Sequence, residues 1–376
     1  MRLNRFILPL NIVCLLVVGL FVGLREANAQ SIKSPPAYWQ ETPGVDNEYC
    51  LGCHGKPDQK MTLPSGEELY LTVNPDTYYN SVHGKAGYAC VQCHTDITSY
   101  PHPELIAQTH RELTVSMYGA CGRCHQDKYQ ATQDSVHQKA MQAGNTEAAV
   151  CSDCHGSHDV QAIGESRTAI PQTCERCHFE IYQQYKDSVH GEALIGEGNP
   201  DVPSCIDCHG VHNVAGPDYN EQFHLKSPDL CKRCHTDEEL MAKYGINTNV
   251  VNTYLADFHG TTVMFQAEIP GQETNKPVCV DCHGVHNIKS PDNPNSSVMK
   301  DNLQKTCQRC HPEAEINFPA AWMSHYVPSP TEYPLVYYVN LFYRILIPTL
   351  VGAMGLFVVA ESIRRLINRR RKTKHE

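Results

Sequence analysis

The stretch Cys121-Gly122-Arg123-Cys124-His125, answered thirty residues on by Cys151-Ser152-Asp153-Cys154-His155-Gly156-Ser157-His158, decides how this chain is read. Both halves contain Cys-x-x-Cys-His, and the same pattern recurs with first cysteines at 50, 90, 121, 151, 174, 205, 231, 279 and 307. A repeat of this kind sets the architecture of the whole chain. The copies alternate in type. CGRCH, CERCH, CKRCH and CQRCH put Arg123, Arg176, Arg233 and Arg309 before the second cysteine, whereas CSDCHG, CIDCHG and CVDCHG put Asp153, Asp207 and Asp281 there. The unit is therefore a pair. Pairs begin at 50, 121, 174 and 231 with a half unit at 307, and the first pair, CLGCH and CVQCH, has drifted from the pattern.

Two thiols and an imidazole within one tight turn is the arrangement that attaches a c-type haem: the thiols add to the vinyl groups and the adjacent histidine ligates the iron. Zinc ribbons also use Cys-x-x-Cys pairs, and exported chains form disulfides. Neither explains a histidine after the second cysteine in nine motifs of nine, when only 21 of 376 residues are histidine. Nine covalently bound haem c groups are expected. Their attachment points are Cys50, Cys53, Cys90, Cys93, Cys121, Cys124, Cys151, Cys154, Cys174, Cys177, Cys205, Cys208, Cys231, Cys234, Cys279, Cys282, Cys307 and Cys310. The proximal iron ligands are His54, His94, His125, His155, His178, His209, His235, His283 and His311. The nineteenth cysteine, Cys14, lies in the N-terminal apolar segment.

The sixth iron ligand separates an electron carrier from an enzyme. Twelve histidines lie outside the motifs. Five follow the first motif of a unit, in SVHG, SVHQ, SVHG, DFHG and MSHY: His83, His137, His190, His259 and His325. Four follow the second motif: His102 in YPHP, and His158, His212 and His286 in CHGxH. Together they equal the number of motifs, so every iron can be bis-histidine. His158, His212 and His286 stand three residues after a proximal ligand, a tether too short to reach the opposite face of the same macrocycle, so they are expected to serve neighbouring haems. His110 and His224 are possible substitutes; His375 lies in the C-terminal tail.

Composition agrees with a haem-filled interior, because only 41% of residues are hydrophobic. Arg2 and Arg5, the apolar run Phe6 to Leu24 and Ala27-Asn28-Ala29 read as a signal peptide over residues 1–29. Leu335 to Ala360 exceeds the roughly 20 residues a spanning helix needs. The expected organisation is a nine-haem domain over 30–333, a transmembrane helix over 334–361 and a basic tail over 362–376, which the positive-inside rule puts in the cytoplasm. The exported region would face the periplasm of a prokaryote. Its residues 30–343 hold 38 acidic against 20 basic side chains, a formal −18 that repels nucleic acid. Arg344 is the one intramembrane charge, expected to snorkel outward or to meet a partner.

Asp127 to Lys139 and Glu180 to Leu194 look helical but too polar to form a core, Gly196 to Pro203 and Ile269 to Pro277 read as loops, and Met61 to Val73 suggests a hairpin turning at Ser65-Gly66. The expected fold is mostly α with extensive irregular loops: a haem-cored multihaem cytochrome c built on paired CxxCH repeats, plus one C-terminal transmembrane helix. About thirty-four residues per haem over 30–333 keep the macrocycles close enough to exchange electrons. His325 sits about ten residues before the helix, so the last haem is expected near the membrane surface.

The strings at 81–84, 93–103, 154–158, 208–212 and 282–286 resemble the multihaem c-type cytochromes with doubled CxxCH motifs, and loosely the class III and NapC/NirT-like quinol-linked cytochromes. The segment PSPTEYPLVYYVNLFYRILIP is similar to the junction at which inner-membrane nine-haem cytochromes of metal-reducing bacteria continue into a b-type quinone-oxidising domain. Here one helix without histidine follows. The resemblance therefore implies a separate membrane cytochrome b, with soluble periplasmic cytochromes or a terminal reductase as acceptors in anaerobic respiration. The competing expectation is a multihaem reductase acting on nitrite, hydroxylamine or tetrathionate through one open iron.

Overall fold

The structure is a computed structural model and describes residues 46–162, 166–216, 222–267, 276–319, 325 and 327–372. The expected signal peptide, His375 and most of the loop 269–277 lie outside the described residues. The chain is mostly helical with few strands. Among the described residues one two-stranded sheet occurs, Lys60–Thr62 pairing antiparallel with Glu68–Tyr70 so that Lys60 faces Tyr70 and Thr62 faces Glu68. This is the hairpin expected over Met61 to Val73. Gly66, at φ 90°, turns it, because the left-handed region costs a glycine nothing.

The fold divides into two compact bodies, Met1–Cys124 with Cys151–Ile163, and His125–Val150 with Gly164–Glu376. Short helices carry the repeats in both. From the second unit on, a CxRCH motif sits at the C-terminal end of a helix, as in Tyr118–Gly122, Ala169–Glu175, Gln222–His235 and Leu303–Gln308. A CxDCH motif is itself a five-residue helix, Cys151–His155, Cys205–His209 or Cys279–His283. The motif aspartate sits at the third helical position of the last two, where its carboxylate accepts the N–H of Ser204 (2.7 Å) or Val278 (2.6 Å) and satisfies donors that a helix start leaves unpaired.

The two segments read as helical are each broken. Asp127 to Lys139 divides into Gln126–Gln133 and Val136–Gln142, and Glu180 to Leu194 into Phe179–Lys186, Val189–Gly191 and a π turn at Glu192–Gly196. Ser135 and Ser188 make the breaks. Each adopts extended backbone, and its hydroxyl accepts the N–H of Gln138 or Gly191, starting a new helix rather than continuing the old one.

Only thirteen apolar side chains are buried among the described residues, Leu63, Tyr78, Tyr182, Tyr185, Leu194, Tyr254, Val263 and Val278 among them. They form small seams beside the motifs rather than one core. At the C-terminus, Pro334–Lys372 is one helix, and its first 36 residues are long and apolar enough to cross a membrane. The helix continues beyond the expected end at 361. Glu361 pairs with Arg365 at 3.1 Å and Arg364 at 3.9 Å, one turn on, and these pairs carry helical geometry into the basic segment. Arg344 lies in its aromatic N-terminal third, next to Tyr343 and near Tyr337, Tyr338 and Phe342.

Candidate functional site

The distal histidines of the SVH class stand one residue into a helix whose start is fixed twice. Buried Ser81, Ser135 and Ser188 cap the helix from their side chains. The first helical N–H then donates to a remote carbonyl: Val82 to Val160 O (2.8 Å), Val136 to Val214 O (2.9 Å) and Val189 to Ile288 O (2.9 Å). Each acceptor lies two residues after a CHGxH histidine of the following unit. The register is identical in all three cases, so this hydrogen bond staples one unit to the next.

Seven motif histidines face one predicted distal histidine each. The pairs are His54–His102 (ring centroids 5.9 Å), His94–His158 (6.1 Å), His178–His137 (6.1 Å), His235–His190 (6.3 Å), His209–His286 (5.9 Å), His311–His259 (6.3 Å) and His283–His325 (6.2 Å). Ordinary aromatic neighbours span centroid distances of about 4.5–7 Å. These seven cluster within a far narrower range and each joins a motif histidine to a non-motif one. An imidazole nitrogen binds a transition metal at about 2.0–2.1 Å, and the ring centre lies about 1 Å behind it, so two imidazoles gripping one iron from opposite faces stand roughly 6 Å apart. The spacing fits a bis-histidine haem.

The pairs obey a simple order. A first-motif histidine faces the SVH- or DFH-class histidine of the preceding unit, as in His178–His137, His235–His190 and His311–His259. A second-motif histidine faces the CHGxH histidine of the following unit, as in His94–His158 and His209–His286. The glycine of CHGxH explains the turn. Gly284, at φ 86°, and Gly210, at φ 82°, occupy backbone where a Cβ would strike Asn287 or Asn213, and the reversal directs the next histidine away from its own motif. His325, nearest the membrane-length helix, faces His283 of the eighth motif and not His311 of the ninth, because Val250–Ala256 brings Thr253 Oγ1 to 3.5 Å from its Nδ1. Of the other four, His83 packs edge-on to Tyr88 and lies with His155 in the first body, while His125 and His212 belong to the second.

The electrostatics suit neutral imidazole ligands. Burial pushes His190 down to about 4, with His235 adding to it, and likewise His283, with His325 and His235 adding. Burial lowers His94, His158, His235, His286 and His325 as well. A neutral ring keeps a lone pair for a metal. Nδ1 of His54 lies 2.8 Å from Leu71 O, that of His102 2.9 Å from Ser99 O and that of His209 2.7 Å from Ala215 O. A proton held there leaves Nε2 as the coordinating atom.

None of the eighteen motif cysteines is joined to another in a disulfide. Within each unit the first cysteines of the two motifs stand side by side: Cys50 with Cys90, Cys121 with Cys151, Cys174 with Cys205 and Cys231 with Cys279. From unit to unit the second cysteine of a second motif lies near both cysteines of the next, as Cys93 does to Cys121 and Cys124, Cys208 to Cys231 and Cys234, and Cys282 to Cys307 and Cys310. Successive motif cysteines thus form a ladder in each body. Among the described residues no group of three or more His, Cys, Asp or Glu side chains gathers around a common point. A haem iron asks the protein only for axial ligands, because the equatorial four are pyrrole nitrogens.

The alternation of arginine and aspartate has a structural cause. Arg123 donates to Gln92 O (3.1 Å) and Cys93 O (2.9 Å), Arg233 to Asp207 O, and Arg309 to Asp281 O (2.5 Å), each reaching the second motif of the preceding unit. The aspartates are held within their own unit: Asp153 by Arg111 (2.9 Å), Asp207 by Arg167 (2.7 Å) and Asp281 by His224 (2.9 Å). His224 therefore occupies the place of an arginine and is not the substitute ligand allowed for above. His110 itself is exposed at the start of a half-buried helix, its backbone N–H on Glu67 Oε2.

One set of residues went unread in the sequence. Tyr78, Tyr185 and Tyr254 each stand three residues before the capping position, and each donates its hydroxyl to the carbonyl two residues before the unit's second motif: Tyr88 O (2.6 Å), Pro203 O (2.7 Å) and Pro277 O (3.0 Å). Burial, then the Cys90 and Cys93 thiols, push Tyr78 up to about 12. The recurring Tyr-x-x-[Ser/Asp] spacing was the available signal. No protein-family model, curated protein or solved structure matches the chain.

Proposed function

We propose that this chain is a nine-haem c-type cytochrome that relays electrons on the outer face of a prokaryotic cytoplasmic membrane. It takes them from the quinol pool through a membrane cytochrome b partner and delivers them to soluble periplasmic cytochromes or a terminal reductase. What carries the reading is the set of seven motif-to-distal imidazole pairs at 5.9–6.3 Å. Bound haem would supply one-electron chemistry. The chain's own part is to staple each group through two thiols and, at the seven pairs, to hold an imidazole on either face, which leaves no coordination position there for a substrate.

The C-terminal helix supports the location. His325 and Pro334 are separated by nine residues, a tether that spans at most about 30 Å. That tether keeps the His283–His325 pair close to the membrane. The test is made on full-length protein purified from membranes. Mass spectrometry and haem quantitation are expected to give nine haems per chain, and carbon monoxide is expected to leave the reduced spectrum unchanged. A carbon-monoxide-binding fraction would transfer the reading to the reductase class, and a chain with zinc or no tetrapyrrole would end it.

A further inference from the structure

The fourth unit departs from the other three at the capping position. Where Ser81, Ser135 and Ser188 precede the distal histidine by two residues, Asp257 precedes His259. Its backbone is the same, φ −78° and ψ 162° against φ −68°, −72° and −84° and ψ 164°, 155° and 163° for the serines. The change is therefore one of charge on a constant frame. Asp257 Oδ1 accepts the Phe258 N–H at 2.5 Å, and Oδ2 lies 3.8 Å from His259 Nδ1. Because His259 faces His311, the anion stands beside the distal imidazole of that pair. By contrast His54, His102 and His209 turn Nδ1 to neutral carbonyls.

We propose that Asp257 is a positioning residue that lowers the reduction potential of the haem held by His259 with His311. The inference rests on the haem-relay reading above. A carboxylate beside the outer nitrogen of an axial imidazole strengthens the ring as a donor and favours the more positive, ferric metal.

The experiment is a spectroelectrochemical titration of the full-length haem-loaded protein as Asp257→Ser, which installs the residue the other three units use. One of the nine components is expected to move to higher potential, by about the 59 mV that a tenfold change in a one-electron equilibrium represents. Asp257→Asn, which keeps the side-chain oxygen that accepts from Phe258, is expected to do the same, and Asp257→Glu to restore most of the shift. Nine haems with unshifted potentials, or a shift spread over all of them, would overturn the role of Asp257 and leave the relay standing. A chain without haem would overturn the relay itself.

Discussion

In the third unit Tyr185 binds Pro203 O, Arg167 pairs with Asp207 and Ser188 caps the helix of His190; in the fourth, Tyr254 binds Pro277 O while His224 replaces the arginine and Asp257 the serine. The tyrosine-to-carbonyl bond is preserved and the charges are not. Packing fixes the first, since Gly191 and Gly260 bring their helices so near Tyr185 O and Tyr254 O that a Cβ would collide. The side chains at the rim are half-exposed, and there the chain has room to change charge without changing geometry.

The sharpest way to break this comparison is to remove an attachment point. Cys205→Ala with Cys208→Ala is expected to cost one haem and to loosen the fourth unit too, because His209 faces His286 of that unit; mass spectrometry and limited proteolysis would show both. The same double change at Cys307 and Cys310 is expected to cost one haem while leaving the third unit's protection intact.

Tyr185→Phe and Tyr254→Phe each leave a shielded carbonyl without its donor, at about 1–3 kcal/mol. If the frame is shared, the two losses in thermal unfolding should agree; a large disparity would mean that only one unit depends on its tyrosine. Exchanging the clamps tests the charges instead. Arg167→His is expected to destabilise and His224→Arg to stabilise, each by no more than about 1 kcal/mol for groups this exposed, read from denaturant midpoints.

The smallest effect concerns the tie between the units, Asp201 to Lys243 at 2.9 Å and to the Tyr244 hydroxyl at 3.0 Å. Those two partners, Lys243 first, hold the Asp201 carboxyl below the ordinary carboxylate range. A depressed carboxyl contributes stability above its unfolded value of about 3.9 and loses it as the pH falls through the lower folded value. Asp201→Asn should therefore unfold slightly more easily than the parent near neutrality, and the difference should close in acid. A gap that widens on acidification would reverse the sign and remove this tie from the comparison.

Local features were legible from the residues alone. The hairpin at Lys60–Tyr70 and the long helix from Pro334 follow from turn chemistry and unbroken hydropathy, which neighbouring residues carry between them. The breaks at Ser135 and Ser188 were not read, although a serine before Val-His offers the capping signal. His224 was undecidable in sequence, since nothing near it reveals Asp281, fifty-seven residues away.

By itself the sequence determined the recurrence of the motif, its pairing into units and the membrane-length helix, because all three depend on residues adjacent along the chain. Only the tertiary structure decided that His286 faces His209, that His325 faces His283 and that His224 holds Asp281. Two imidazoles approaching one point from opposite sides must come from segments far apart in sequence, and packing rather than spacing selects which segments meet.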